Sequence, residues 1–409
     1  MVDCWLPYGE TEVYVSVEME SLIGIADIRE IEPENTGIEI ILSALMDPYG
    51  KPLEELVEPG VDVVIAVDIY SSPQAVTQAL TQIIKMLVEL IVPKERITII
   101  LGNGENEKEE KIIRDAIRDS SELRGITLHD HNRNTDNIAF LGETHHGTPV
   151  EINRRYHESK IKIALGETRI DPLKGYSGAH NAIVPGLATI NTIREYRKLY
   201  FDSDISPGSI ELNAIKEDVL EAVSKTGIDF AVNLVTNKKG KIIAAHAGGY
   251  EESWGKAINS LADQPEISSD GGADIVVISA GGFPYDKSFY KAIWSLHNGA
   301  KASKRNGTII LLAQCVEGLG GEAFTHLSRV SESSELKRRY MYGADALDLL
   351  KKVQKNNRII LVSALPNYLV EALDMDSART ANDAYKKAVQ SRRGRKTIVI
   401  PHGYQSILI

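Results

Sequence analysis

The chain has 409 residues, and its 43% hydrophobic and 25% charged residues are ordinary globular values that exclude a long disordered chain. Lys+Arg 46 against Asp+Glu 57 gives a net charge of −11, which argues against a phosphate backbone or an anionic membrane as the main partner. Two cysteines, Cys4 and Cys315, exclude a disulfide framework and a four-thiolate metal site.

At ~100–200 residues per domain the length implies two or three domains, and two are expected. Asp3, Glu10 and Glu12 interrupt the opening stretch, so no signal peptide is expected. No apolar run approaches the ~20 residues of a membrane span. The expectation is a soluble, cytoplasmic protein whose partner is a small molecule, with no nucleic acid and no membrane.

Val61–Tyr70 reads as a buried strand, Val/Ile-rich and bounded by Gly60 and by Ser71-Ser72-Pro73. A helix follows from about Pro73 to Leu90, with Val76, Leu80, Ile83, Leu87 and Leu90 on one face. Arg96–Leu101 is the next strand and Glu105–Asp119 the next helix. Strand, helix, strand, helix with short connections is the pattern of a parallel sheet covered on both faces. Four strands are then expected at Ile126–His129, Ile138–Leu141, Pro149–Asn153 and Ile161–Leu165. Phe230–Thr236 and Lys241–Ala247 flank Asn237-Lys238-Lys239-Gly240, a hairpin turn. The Pro/Ser/Gly-rich stretch Leu261–Gly272 divides the chain into domains 1–262 and 263–409.

Beyond it the alternation restarts with strand Ala273–Ala280, the turn Gly281–Pro284, and a helix capped by Asp286 with Phe289, Ile293, Leu296 and Ala300 on its apolar stripe. Strand Thr308–Cys315, helix Leu336–Val353, strand Arg358–Leu365, helix Ala378–Val389 and strand Lys396–Pro401 complete it. The fold class is α/β: two Rossmann-like α/β domains around an interdomain cleft, where a ligand is expected.

Gly166–Gly186, GETRIDPLKGYSGAHNAIVPG, is the most unusual local sequence. A strand runs into it, and Gly175, Gly178 and Gly186 would let a ligand approach the backbone. A glycine-rich surface turn is the plain alternative. His129 and His131 on one strand face, with His145 and His146 brought alongside by a hairpin, would suit a divalent metal, although half-exposed strand and turn histidines have the same pattern. No P-loop lysine, G-x-S-x-G or H-E-x-x-H pattern is present, and Cys315 at a strand end reads as a buried thiol.

The order of motifs resembles the nickel-pincer-nucleotide lactate racemase family. The pieces are Ala66–Pro73, Leu141–Asn153, Gly175–Gly186, Asn213–Glu221, Phe230–Asn233, Gly281–Tyr290 and Cys315–Phe324. The resemblance implies two α/β domains and racemisation or epimerisation of 2-hydroxy acids by hydride transfer to a nickel cofactor. It also exposes departures. The family's loop lysine, the cofactor's covalent anchor, falls on Asn181, and an amide cannot form that link. Catalytic histidines fall on Asp171 and Asn106, and the nickel-binding histidine on Arg197. The substrate arginine falls on Ser71, and a glutamine and a lysine on Lys291 and Trp294.

The resulting expectation is an isomerase of altered mechanism acting on a small 2-hydroxy acid or related anionic metabolite. Asp171 and His180 are its acid/base candidates. Lys174, Arg197, Ser177, Gly178, Asp68, Ser71, Lys291 and Trp294 are its substrate-binding candidates. Asn181, Gly175 and Tyr176 are placed at the cofactor. The cofactor itself is left open between a non-covalently held nickel-pincer nucleotide and a divalent metal on the histidine cluster. A non-catalytic small-molecule or nucleotide-cofactor binding protein and a histidine-cluster metal enzyme stand as alternatives.

Overall fold

Short β-branched runs bounded by turn residues become parallel strands, and amphipathic stretches between them become the covering helices. The computed structural model describes residues 1–68, 72–102, 107–131, 137–262, 272–391 and 394–407, and of 107–110 and 262 the backbone alone. The strands in chain order are β1 (Val2–Tyr8), β2 (Thr11–Val17), β3 (Leu22–Ile25), β4 (Val63–Val67), β5 (Ile97–Leu101), β6 (Thr127–Asp130), β7 (Ile138–Glu143), β8 (Pro149–Asn153) and β9 (Ile161–Glu167). They continue with β10 (Ile170–Asp171), β11 (Gly175–Tyr176), β12 (Phe230–Thr236), β13 (Ile242–Gly248), β14 (Ala273–Ser279), β15 (Ser303–Leu312), β16 (Arg358–Val362), β17 (Asp376–Ala378) and β18 (Thr397–Ile400). Two α/β units result. One comprises Met1–Arg29, Tyr200–Gly208 and Gln264–Ile409, the other Glu30–Leu199 and Ser209–Asp263.

In the second unit the sheet order is β13-β12-β9-β4-β5-β6, parallel except for the antiparallel edge strand β13. All five residues of β4 are buried, as a strand covered on both faces requires. The helix Pro73–Glu89 begins at Ser72, whose hydroxyl accepts from the Ala75 amide, with proline in its first turn. Its Val76, Leu80, Ile83 and Leu87 are fully buried in the same core as Ile65, Ile99, Ile163 and Val232. Burying each such side chain contributes roughly 1.5–3 kcal/mol. The chain builds β4, β5 and β6 outward and then returns to lay β9 on the other side of β4. The carboxyl ends of β4 and β9 therefore form the point where strand order reverses, the usual ligand crevice of an open α/β sheet.

The first unit has the order β17-β16-β15-β14-β18-β3, with every neighbouring pair parallel. Its reversal lies between β14 and β18. The hairpin β1–β2 lays Cys4, Leu6, Val15 and Val17 into one core with Ile275, Val277, Ile310, Ile360 and Val399.

Several elements differ from the sequence expectations. Strand Val61–Tyr70 is shorter, and positions 69–71 lie outside the described residues, as does the expected boundary stretch 263–271. Leu336–Val353 is two helices, Ser333–Arg338 and Ala344–Gln354; the first ends at Arg339 and the second starts from Gly343, which sits in the left-handed region at φ +90°. Asp286 caps no helix. Ser288 does, through the Lys291 amide, while Asp286 is fully buried and its Oδ2 accepts from the amides of Gly9 (2.6 Å) and Gln314 (3.1 Å).

Candidate active site

The strand β9 runs into the hairpin β10–β11, and the loop that follows folds back over the strand ends. A Cβ on Gly178 would lie 2.6 Å from Trp254 Cδ1 and 2.9 Å from Asn233 Oδ1, so only glycine allows this approach. Gly175 sits at φ +80°, with the Ser209 carbonyl oxygen 2.2 Å from where its Cβ would be. Both glycines are thus required by packing of the loop itself. Asn233, alone among the apolar residues of β12, accepts from the Ala179 amide at 2.8 Å and donates to the Ser253 hydroxyl at 3.1 Å. Trp254 Nε1 donates to the Ser177 carbonyl at 2.8 Å. The Ser177 hydroxyl is also committed to the loop, donating to the Glu167 carbonyl (2.8 Å) and accepting from the Arg169 amide (3.1 Å).

Asp171 closes the β10–β11 turn. Its Oδ1 accepts from the amides of Leu173 and Lys174, each at 2.9 Å, and its Oδ2 lies 2.6 Å from Lys174 Nζ. Burial raises this carboxyl, but the Lys174 charge and these hydrogen bonds outweigh it and hold it at about 2. Asp171 is therefore an ionised, fully engaged carboxylate near neutral pH, and Lys174, itself buried, is its counter-ion.

His180 is 1% exposed. Its ring meets Trp254 edge-on at 4.9 Å and Tyr250 at 5.7 Å, and those two aromatics stack at 6.1 Å. Burial, with the Lys174 charge adding and Asp171 opposing, lowers its pKa to about 3, so the imidazole is neutral. Among the described residues its Nδ1 has no hydrogen-bond partner, and neither has Oδ1 of the neighbouring buried Asn181. At the β4/β9 reversal two buried polar atoms thus lack a partner among the described residues, where a buried polar atom normally finds one.

The other expected site residues are placed as follows. Asp68 is buried just past β4, where its amide donates to the Leu165 carbonyl at 2.9 Å. Tyr176 is half-buried on β11, and Arg197 half-buried in the last turn of the helix Ile190–Lys198. Ser71 and Asn106 lie outside the described residues. Lys291 and Trp294 belong to the other unit, Trp294 stacked on His297 at 6.1 Å. The four-histidine cluster does not form. His131 is buried, with Nδ1 3.2 Å from Asn153 Nδ2 and Nε2 3.3 Å from the Ala188 carbonyl, whereas the β7–β8 turn carries His145 and His146. Among the described residues no group of three or more His, Cys, Asp or Glu side chains could hold a metal ion. Asn181 likewise offers an amide where a tethered cofactor needs an amine, so a covalently held nickel-pincer group does not fit these residues.

Sequence reasoning missed Tyr250, Trp254 and Asn233. The signals were present: a tyrosine and tryptophan four apart on one helix face, and one asparagine inside an otherwise apolar strand.

The family model for the lactate racemase N-terminal domain matches residues 8–206, and that for the lactate racemase C-terminal domain matches residues 269–409. Lactate racemase of Thermoanaerobacterium thermosaccharolyticum is 26% identical over 433 residues, covering 100% of this chain and 99% of that protein. Lactate racemase of Lactiplantibacillus plantarum is 24% identical over 425 residues, covering 98% and 99%. The lactate racemase apoprotein structure from T. thermosaccharolyticum superposes with a TM-score of 0.86 at 24% identity over 100% of both chains. A Thermotoga maritima protein gives 0.67 at 15% over 93% and 99%. These likenesses show the fold, and the two domain matches together show that the chain belongs to the lactate racemase family.

Proposed function

We propose that this protein is a racemase- or epimerase-type isomerase of a small 2-hydroxy acid, binding it at the β4/β9 reversal without a covalently tethered cofactor. The observation that carries the reading is the pair of unsatisfied buried atoms, His180 Nδ1 and Asn181 Oδ1. A ligand hydroxyl can donate to either, and its arrival removes a desolvation penalty of about 1–3 kcal/mol per atom. The ligand carboxylate is attracted by Lys174. Placed near His180, it also opposes the effect of that lysine and raises the imidazole toward a range where it can take the hydroxyl proton, while the C2 hydride would pass to a non-covalently held hydride acceptor and return to either face. Trp254 and Tyr250 close the far side of the ring and keep water from it.

The family relationship supports the substrate class, because the two curated relatives are both lactate racemases. The test is chiral chromatography of a panel of L-2-hydroxy acids, lactate first, after incubation with the purified chain. Inversion of at least one acid, lowered about 100-fold or more in H180A, is expected. Binding of those acids without inversion of any would make the protein a binding protein and overturn the isomerase reading.

A further inference from the structure

We propose a second ligand site, in the first unit, where the carboxyl ends of β14 and β18 meet. It takes a hydroxylated ring, either a free sugar or the ribose of a nucleoside, with His402 receiving a ring hydroxyl. The proposal does not depend on the hydroxy-acid reading.

The segment Pro401-His402-Gly403-Tyr404 leaves β18 beside the double-glycine turn that leaves β14. Its backbone is fixed: the Gly403 amide donates to the Ser279 carbonyl at 2.8 Å, and Asn298 Nδ2 donates to the carbonyls of Gly403 and Ser406, each at 2.8 Å. A third strand end contributes Asp27, just past β3, where the Ala26 amide is tied to the Val399 carbonyl at 2.8 Å. Asp27 Oδ1 lies 2.7 Å from His402 Nδ1. A carboxylate on Nδ1 keeps the proton there and leaves the Nε2 lone pair as an acceptor. No hydrogen bond to Nε2 forms among the described residues, and the side chain stays 15% exposed.

The surroundings favour a neutral hydroxylated ring over an anion. The Asp27 carboxylate stands against the imidazole, so the pair offers an anion no net positive charge. Tyr404 and Tyr285 lie 4.9 Å apart with their planes tilted by 32°, both half-buried, and present an aromatic surface at the same turn. Gly281 stands among these groups: a Cβ there would be 3.5 Å from Gln405 Oε1, 3.5 Å from Tyr285 Cδ2 and 3.8 Å from His402 Cα. An acceptor nitrogen, an amide and an aromatic face therefore converge at the reversal of a parallel sheet, where such folds place their ligands.

The test titrates D-ribose and adenosine separately into the full chain labelled with 15N-histidine. The His402 Nε2 resonance is identified by its loss in H402Q, or in H402N should that variant misfold. A saturable shift of this resonance is expected, with binding at least about fivefold weaker in D27N and in Y404A. Adenosine binding about tenfold tighter than ribose identifies the nucleoside as the source, and equal binding identifies the free sugar. Absence of a shift with either probe up to about 100 mM, or unchanged affinity in D27N, overturns the proposal.

Discussion

Asp171 and His180, nine positions apart in one loop, both have their pKa lowered by their surroundings, for different reasons. Asp171 titrates low because Lys174 and two amides stabilise its charged form. Its folded pKa is depressed, so its contribution is present above the unfolded value near 4 and is lost as pH falls toward about 2. D171N, measured by urea unfolding at pH 7, is expected to cost about 2 kcal/mol by leaving the buried Lys174 ammonium unpaired. His180 has a linkage of the same sign over a wider window. It is neutral when folded down to about pH 3 but protonates near 6.5 when unfolded, so stability falls as the solution is acidified through that window. The slope is about 1.4 kcal/mol per pH unit, and H180Q is expected to remove it from a pH series of denaturant midpoints. The acid/base candidates were legible in the sequence as residue types. Their protonation states were not, because these depend on partners such as Lys174 and Trp254 that only the folded loop brings into place.

At the scale of elements, the loop Gly175–Gly186 stood out in the sequence through its glycines, and close packing is what those glycines serve. G178A is expected to destabilise the protein by about 1–3 kcal/mol, read as a lowered thermal midpoint, because the added methyl meets Trp254 and Asn233. The parallel strands were readable because buried Val/Ile runs have few other uses. The break between Arg338 and Ala344 was not, since the apolar spacing of Leu336–Val353 continues through it while the backbone does not. The histidine pattern misled for a related reason. His131 lies just past β6 and turns inward to Asn153, so the alternation that would have paired it with His129 does not hold.

Across the whole chain, the first 29 residues belong with the C-terminal half. Nothing in the local composition marks this, because it depends on long-range pairing: β3 with β18, and the Gly9 turn with Asp286 and the Phe283 amide. Without that segment the first unit loses an edge strand and the hairpin that covers its core. A chain lacking residues 1–29 is therefore expected to lose cooperative unfolding of the first unit, seen by calorimetry as a missing transition. The family scaffold extends over both units, and Asn181 stands where the family resemblance implies a tethering lysine. In the function proposed above, Asn181 and His180 themselves hold the ligand. Calorimetric titration of the best-inverted 2-hydroxy acid into the wild-type chain and N181A tests it most directly. Because Asn181 Oδ1 has no partner among the described residues, N181A should leave the thermal midpoint nearly unchanged while weakening binding about tenfold. Equal affinity in the two proteins would contradict it.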